Sequence, residues 1–161
     1  MRTILFVCTG NLCRSPMAEG FLKRRLALAG RDGEFRVRSA GTWAVEGAPA
    51  SSHAVQVMAE RGVDIRDHRT HELTTEDVES ADLILTMTVG HAQTIRQGWP
   101  AHRRKVHLLS EMVGQRYDVE DPYGDSIEVY RACADEIEVL VEDGYERILA
   151  LAVGTPEVLE V

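Results

Sequence analysis

Cys8 and Arg14 stand six positions apart in the run Cys8-Thr9-Gly10-Asn11-Leu12-Cys13-Arg14-Ser15, directly after the apolar stretch Ile4-Leu5-Phe6-Val7. The chemistry this spacing permits is nucleophilic attack on phosphorus. A buried strand that ends at Val7 and a helix that starts after Ser15 force the intervening residues into a tight loop. Such a loop turns several backbone N–H groups inward as an anion nest. The helix N-terminus adds unpaired N–H groups and a partial positive charge. Gly10 permits left-handed backbone, and Asn11 tolerates it while bonding the loop to itself. Arg14 supplies a planar fork for two phosphate oxygens. The same field favours thiolate at the start of the loop, where Cys8 stands. Ser15 offers a hydroxyl to that sulfur. A bare Cys-x5-Arg occurs often by chance; the whole string between strand and helix start is far more specific.

A thiolate that attacks phosphorus needs an acid to protonate the leaving group. Asp121-Pro122-Tyr123-Gly124 supplies the best candidate, in an acidic segment before the last long helix. Pro122 restricts the backbone at Asp121, and Tyr123 can form an aromatic wall beside a bound ring. Asp118, Glu120 and Asp125 read as solvated turn residues. Trp43, after the second strand, reads either as part of the pocket rim or as a packing residue of an exposed loop.

The elements that must position these residues follow from hydrophobic pattern. Strands are expected at Ile4–Val7, from Phe35 to about Ser39, at Leu83–Leu85 and at Val106–Leu109. Helices are expected from Ser15-Pro16 (Ser as N-cap, Pro first in the helix) to Gly30, from Ser52 to Arg61, at Thr74–Asp77, and around His91–Gln97. The longest runs from about Ser126 to Glu142, with Ile127, Tyr130, Ala134, Ile137 and Val141 on one face. Residues 110–125 read as a loop, and Ile148–Leu151 reads as either strand or helix. The alternation predicts an α/β fold, a four-stranded parallel sheet with helices on both faces. Ligands in such sheets bind beyond the carboxyl ends of the strands, where Cys8–Ser15 falls.

Composition sets the limits. The chain has 161 residues, 44% hydrophobic and 27% charged, which suits one domain, 1–161. A net charge of −8 argues against nucleic acid as partner. No apolar run is long enough to span a membrane, and the apolar start is too short for a signal peptide, so a cytoplasmic location is expected. Three cysteines, Cys8, Cys13 and Cys133, are no disulfide framework; Cys133 reads as a small core residue. His68 and His71 lie at i and i+3, but no third ligand is spaced for zinc. His53, His91, His102 and His107 receive no role.

The Cys8–Pro16 run and Asp121–Gly124 together resemble the low-molecular-weight protein tyrosine phosphatases. The likeness extends from about Arg2 to Asp143 and includes Ser39-Ala40-Gly41-Thr42; the tail from about Gly154 lies beyond it. The resemblance implies a flavodoxin-like sheet and a two-step reaction on a phosphorylated protein substrate. Cys8 forms a phosphocysteine while Asp121 acts as acid, then as base for the hydrolytic water. Arg14 and the loop Thr9, Gly10, Asn11, Leu12, Cys13 and Ser15 hold the phosphate. The resemblance further implies that Asn11 and Ser39 brace the loop, that Ser15 assists Cys8, that His68 is structural, and that no metal or organic cofactor is used. Cys13 matches a family position that forms a reversible disulfide with the nucleophile, reopened by a thiol reductant; its other reading is a small packing residue.

A bacterial branch of the family removes phosphate from arginine and carries Thr where this chain has Leu12. Leu83–Thr88 and the stretch from Asp121 to Ser126 resemble that branch, but an apolar Leu12 resembles the tyrosine-type members. Phosphotyrosine is therefore the favoured substrate, with phosphoarginine the alternative. An arsenate reductase would need a later resolving cysteine pair, and only Cys133 is available. A non-hydrolytic phosphocysteine carrier would have no use for Asp121.

Overall fold

The computed structural model describes residues 1–154. Four strands, β1 (Arg2–Cys8), β2 (Phe35–Gly41), β3 (Leu83–Thr86) and β4 (Val106–Leu108), form one parallel sheet in the order β2-β1-β3-β4. Six α-helices accompany them: α1 (Arg14–Leu28), α2 (Ser52–Glu60), α3 (Thr75–Ser80), α4 (Val89–Gly98), α5 (Ile127–Asp143) and α6 (Tyr145–Val153).

The central strand explains the layering. Ile4, Leu5, Phe6 and Val7 are all buried, as a strand covered on both faces requires. Side chains alternate across a strand. Ile4 and Phe6 enter the cluster built with α1, α2, α5 and α6. Leu5 and Val7 enter a second cluster, which includes Val78 of α3 and Ala92 and Ile95 of α4. The register aligns Cys8 with Gly41 and Val7 with both Ala40 and Thr86. The carboxyl ends of β1, β2 and β3 therefore share one edge, and the strand order reverses beside β1, the place where open α/β sheets bind ligands.

Several boundaries differ from the sequence expectation. Helix α1 begins at Arg14 with Cys13 at the N-cap, not at Pro16 with Ser15 as cap. Ser15 is turned inward to Cys8 and Asn11 and caps nothing. Pro16 still falls in the first turn, where a missing N–H costs no helix bond. Leu109 leaves the strand and opens a 3₁₀ turn, Leu109–Val113, inside the segment expected to be a loop. The ambiguous run near Ile148 is helix α6, with Ile148, Leu149 and Ala152 buried. At Thr74 the expected start is a full capping box, with Thr74 and Asp77 bonding each other's backbone N–H. The tail beyond Gly154 lies outside the described residues. Among the described residues, no helix is long and apolar enough to cross a membrane.

Candidate active site

The loop between β1 and α1 is held by its carbonyls. Cys8 O accepts from Thr42 N (2.9 Å), Thr9 O from Trp43 N (3.0 Å) and Leu12 O from Ser51 N (3.0 Å). Asn11 O pairs with His68 Nε2 (2.8 Å), and Cys13 O accepts from Met17 N (3.2 Å). With these oxygens tied outward, the amides from Thr9 to Arg14 are left without backbone acceptors among the described residues. That is the arrangement of an anion nest.

Asn11 is the pivot. Its φ of 57° is the one positive value outside glycine among the described residues. The side chain is fully buried and uses both ends. Nδ2 donates to Ser15 Oγ (2.8 Å) and Ser39 Oγ (3.0 Å), and Oδ1 accepts from His71 N (2.9 Å). Ser39 in turn donates to Glu19 (2.6 Å). Gly41 lets β2 lie against this loop: a Cβ there would stand 2.3 Å from Thr9 O and 3.0 Å from Asn11 N.

In front of the loop, Cys8 Sγ lies 2.9 Å from Ser15 Oγ. Arg14 is 4% exposed, and its Nη1 donates to Val119 O (2.9 Å). Its Nη2 reaches Asp121 Oδ2 (3.4 Å) and, at the limit of bonding, Thr9 Oγ1 (3.5 Å), while Nε is buried and unpaired. A buried guanidinium N–H without an acceptor fits an oxyanion. The acidic segment is docked at the end of β3 through Val119 N to Met87 O (2.8 Å) and Val89 N to Asp118 Oδ1 (2.8 Å). Asp118 is therefore a structural tie and not a free turn acid. Asp121 is about half exposed and accepts from Tyr123 N (3.1 Å), an Asx turn that sets the loop's direction.

A cavity of about 510 Å³ collects Cys8, Thr9, Gly10, Leu12, Cys13 and Arg14 on its floor, with Asp121, Tyr123 and Trp43 around it. Asn11, Ser15 and Ser39 stand behind that floor. All the residues singled out by sequence thus meet in one place. Trp43 and Tyr123 are 81% and 63% exposed, two aromatic surfaces at the mouth. Cys13 is bonded to Ser51 Oγ and Tyr130 OH (3.3 Å each), and burial pushes its thiol up from its ordinary range. Burial also pushes Cys133 up to about 12; it sits in α5 as a buried free thiol.

Sequence reasoning missed the clamps. His91 Nε2 lies 2.8 Å from Thr9 Oγ1, and burial, with Arg14 nearby, pushes its imidazole down to about 4. His71 pairs with buried Asp77 (2.7 Å). Neither histidine lies close to the loop in sequence, and no periodicity announces them. Gly41 was visible within Ser39–Thr42 but had no steric reason attached. Among the described residues, no three His, Cys, Asp or Glu side chains are grouped to hold a metal.

Comparison with known proteins gives a consistent result. A family model described as low molecular weight phosphotyrosine protein phosphatase matches residues 3–150. The protein-arginine-phosphatase of Bacillus subtilis (strain 168) is 45% identical over 140 residues, covering 86% of this chain and 91% of its own. The probable low molecular weight protein-tyrosine-phosphatase EpsP of Ralstonia nicotianae is 40% identical over 151 residues, covering 94% and 99%. The crystal structure of a low molecular weight protein tyrosine phosphatase from T. tengcongensis superposes with a TM-score of 0.86 at 44% identity, covering 91% of this chain and 99% of that one.

Proposed function

Because the chain belongs to the low molecular weight phosphotyrosine protein phosphatase family, we propose that it hydrolyses phosphotyrosine in proteins with Cys8 as nucleophile, Arg14 as oxyanion clamp and Asp121 as acid and base. The observation that carries this reading is the convergence of the three on one cavity floored by the anion nest. In the first step Cys8 sulfur bonds phosphorus as the ester P–O bond breaks, and Asp121 gives its proton to the departing phenol oxygen. In the second, Asp121 takes a proton from water, water oxygen bonds phosphorus, and the S–P bond breaks to release phosphate. Arg14 and the loop amides hold the equatorial oxygens throughout. Ser15, 2.9 Å from the sulfur, stabilises it as attacking and leaving group.

Leu12 supports phosphotyrosine: it lines the cavity with hydrocarbon, and Trp43 and Tyr123 offer aromatic walls at its mouth. The competing reading, phosphoarginine, is favoured by the arginine-phosphatase relatives at 42% and 45% identity. Three further parts belong to the same proposal. Residues 1–161 act as one domain. Cys13 serves as resolving thiol for an oxidised Cys8, with a thiol reductant to reopen the pair. The enzyme works in a reducing, cytoplasmic compartment.

The test compares kcat/KM on phosphotyrosine and phosphoarginine peptides, for the unmodified protein, Leu12→Thr and Cys8→Ser. We expect at least a tenfold preference for phosphotyrosine, narrowed in Leu12→Thr, and no turnover in Cys8→Ser. A preference of the unmodified enzyme for phosphoarginine overturns the substrate assignment. Turnover by Cys8→Ser overturns the nucleophile.

A further inference from the structure

Thr9 stands beside the nucleophile, and its hydroxyl has partners that determine where its own hydrogen goes. His91 Nδ1 lies 3.2 Å from Thr88 N, a group that only donates. Nδ1 must therefore be the unprotonated nitrogen, and the imidazole proton sits on Nε2. Thr88 Oγ1 completes the arrangement: it accepts from His91 N (3.1 Å) and turns its hydrogen to Nδ1 (3.0 Å). These are the two halves of the capping box that opens α4. Nε2–H then donates to Thr9 Oγ1 at 2.8 Å, and Arg14 Nη2 approaches the same oxygen at 3.5 Å. An oxygen that accepts from a buried imidazole and a guanidinium has its own O–H left to donate. Thr9 lines the cavity with Cys8 and Arg14.

We infer that His91, in its neutral Nε2–H form, is a positioning residue that turns the Thr9 hydroxyl into the anion nest as an additional donor to a phosphoryl oxygen. The inference rests on the proposed phosphate-binding role of the loop. Charge supports it independently. Arg14 faces the ring, and a second ring proton on Nδ1 would meet Thr88 N–H donor to donor. Burial and Arg14 push the imidazole down to about 4, against a smaller opposing pull from Asp118 and Asp121. The ring is thus neutral across the range in which a phosphatase works. The device also joins the site's two halves. Helix α4, which carries His91, receives the acidic segment through Val89 N and Asp118. Thr9 and the Asp121 loop are therefore referred to the same helix start.

The experiment is a double-mutant cycle on Thr9→Val and His91→Phe, with Thr9→Ser and His91→Gln as conservative variants. Two readouts are used: kcat/KM on p-nitrophenyl phosphate, and the Kd of inorganic phosphate by calorimetry, which needs no turnover. A hydrogen bond to a charged group sets the expected size, roughly a tenfold loss or somewhat more. Thr9→Val and His91→Phe should each show it in both readouts, and the double variant should lose no more than either alone. Thr9→Ser and His91→Gln, which keep a hydroxyl and a side-chain N–H donor, should recover most of it. Additive losses in the cycle would overturn the inference, as would full phosphate affinity in Thr9→Val. His91→Phe also removes part of a helix cap, so the Thr9 variants carry the test if it folds poorly. Absence of Cys8-dependent turnover, with the phosphate cycle still non-additive, would sink the catalytic reading and leave the His91 assignment standing.

Discussion

Replacing Gly41 with Ala should damage the site from behind. Gly41 is needed for space and not for unusual backbone, since its φ is not in the left-handed region. A Cβ at position 41 would lie 2.3 Å from Thr9 O, 2.9 Å from the Ala44 Cβ and 3.0 Å from Asn11 N. Cβ atoms essentially never approach another heavy atom below 3.0 Å, so the backbone must move by at least 0.7 Å, the difference from 2.3 Å. The atom struck is a carbonyl of the loop between β1 and α1, already bonded to Trp43 N, and cannot rotate away as a side chain would. Forced insertion of one methyl into packed structure costs about 1–3 kcal/mol. For a chain of this size that lowers Tm by about 2–12 °C. A misplacement approaching 1 Å near reacting groups costs on the order of 10²-fold in rate, so kcat/KM should fall at least tenfold. Gly98→Ala is the control: it lies in α4, and an added Cβ meets nothing within 4 Å. That variant should keep full activity and gain up to about 1 kcal/mol. The assay is p-nitrophenyl phosphate turnover beside thermal unfolding. Gly41→Ala with kcat/KM within about twofold and Tm within about 1 °C of the parent would refute the steric account, since it asks for about 1 kcal/mol at least.

Asn11→Ala removes three buried hydrogen bonds and places a Cβ-bearing residue without a local bond at φ 57°; urea unfolding should show a loss of about 2–4 kcal/mol, of which Asn11→Gly recovers about 1 kcal/mol because only the backbone part is relieved. Equal losses in the two would remove backbone conformation from the explanation. Asp121→Asn should lower kcat about 100-fold on phenyl phosphate and less on p-nitrophenyl phosphate, whose better leaving group needs less proton donation; equal effects on the two esters would rule out an acid role. Stability should depend on pH through His91. Its folded value of about 4 lies below the ordinary imidazole value of about 6.5, so the unfolded chain binds more protons between the two. The stabilisation is complete above about pH 6.5 and is lost as pH falls towards 4, on the order of 3 kcal/mol. His107, also pushed down by burial, adds in the same direction. Urea midpoints between pH 7.5 and 4.5 measure the slope, which His91→Gln should flatten; an unchanged slope in that variant would assign it to other groups.

Local signals in the chain were enough for the sheet and the floor of the site. Ile4–Val7 and Leu83–Leu85 are short apolar runs, and burial on both faces of a parallel sheet leaves them no alternation to blur; Val106 and Leu108, on the edge strand, are buried with the less buried His107 between them. Cys8, Arg14 and Asp121 carry their chemistry in their residue types. Legibility ended where a residue's role depends on a distant partner. His91 looks like any polar residue on a helix until β3 brings α4 beside Thr9. Ser15 looks like a helix cap because Ser before Pro usually is one, but the competing attraction of Cys8 and Asn11 lies in the fold and not in the neighbouring sequence. Helix α6 was ambiguous because a run of four apolar residues suits either period until the cluster behind β1 and β3 selects one face.

The two kinds of partner also divide the labour within the loop. Its rear is fastened by Asn11, Ser39, His68, His71 and Gly41, which fix where the backbone lies. Its front is fastened by Arg14 on Val119 O and by Thr9 on His91, which fix where side-chain donors point. The rear partners come from β2 and from the segment before α3, and a defect there displaces every amide of the nest at once. Such defects should lower stability and rate together. The front partners come from the acidic segment and from the start of α4, and a defect there removes one donor while the amides stay in place. Such defects should weaken phosphate binding and rate with much smaller losses of stability. The ratio of lost activity to lost stability therefore separates the two clamps, with Gly41→Ala and Thr9→Val as their extremes.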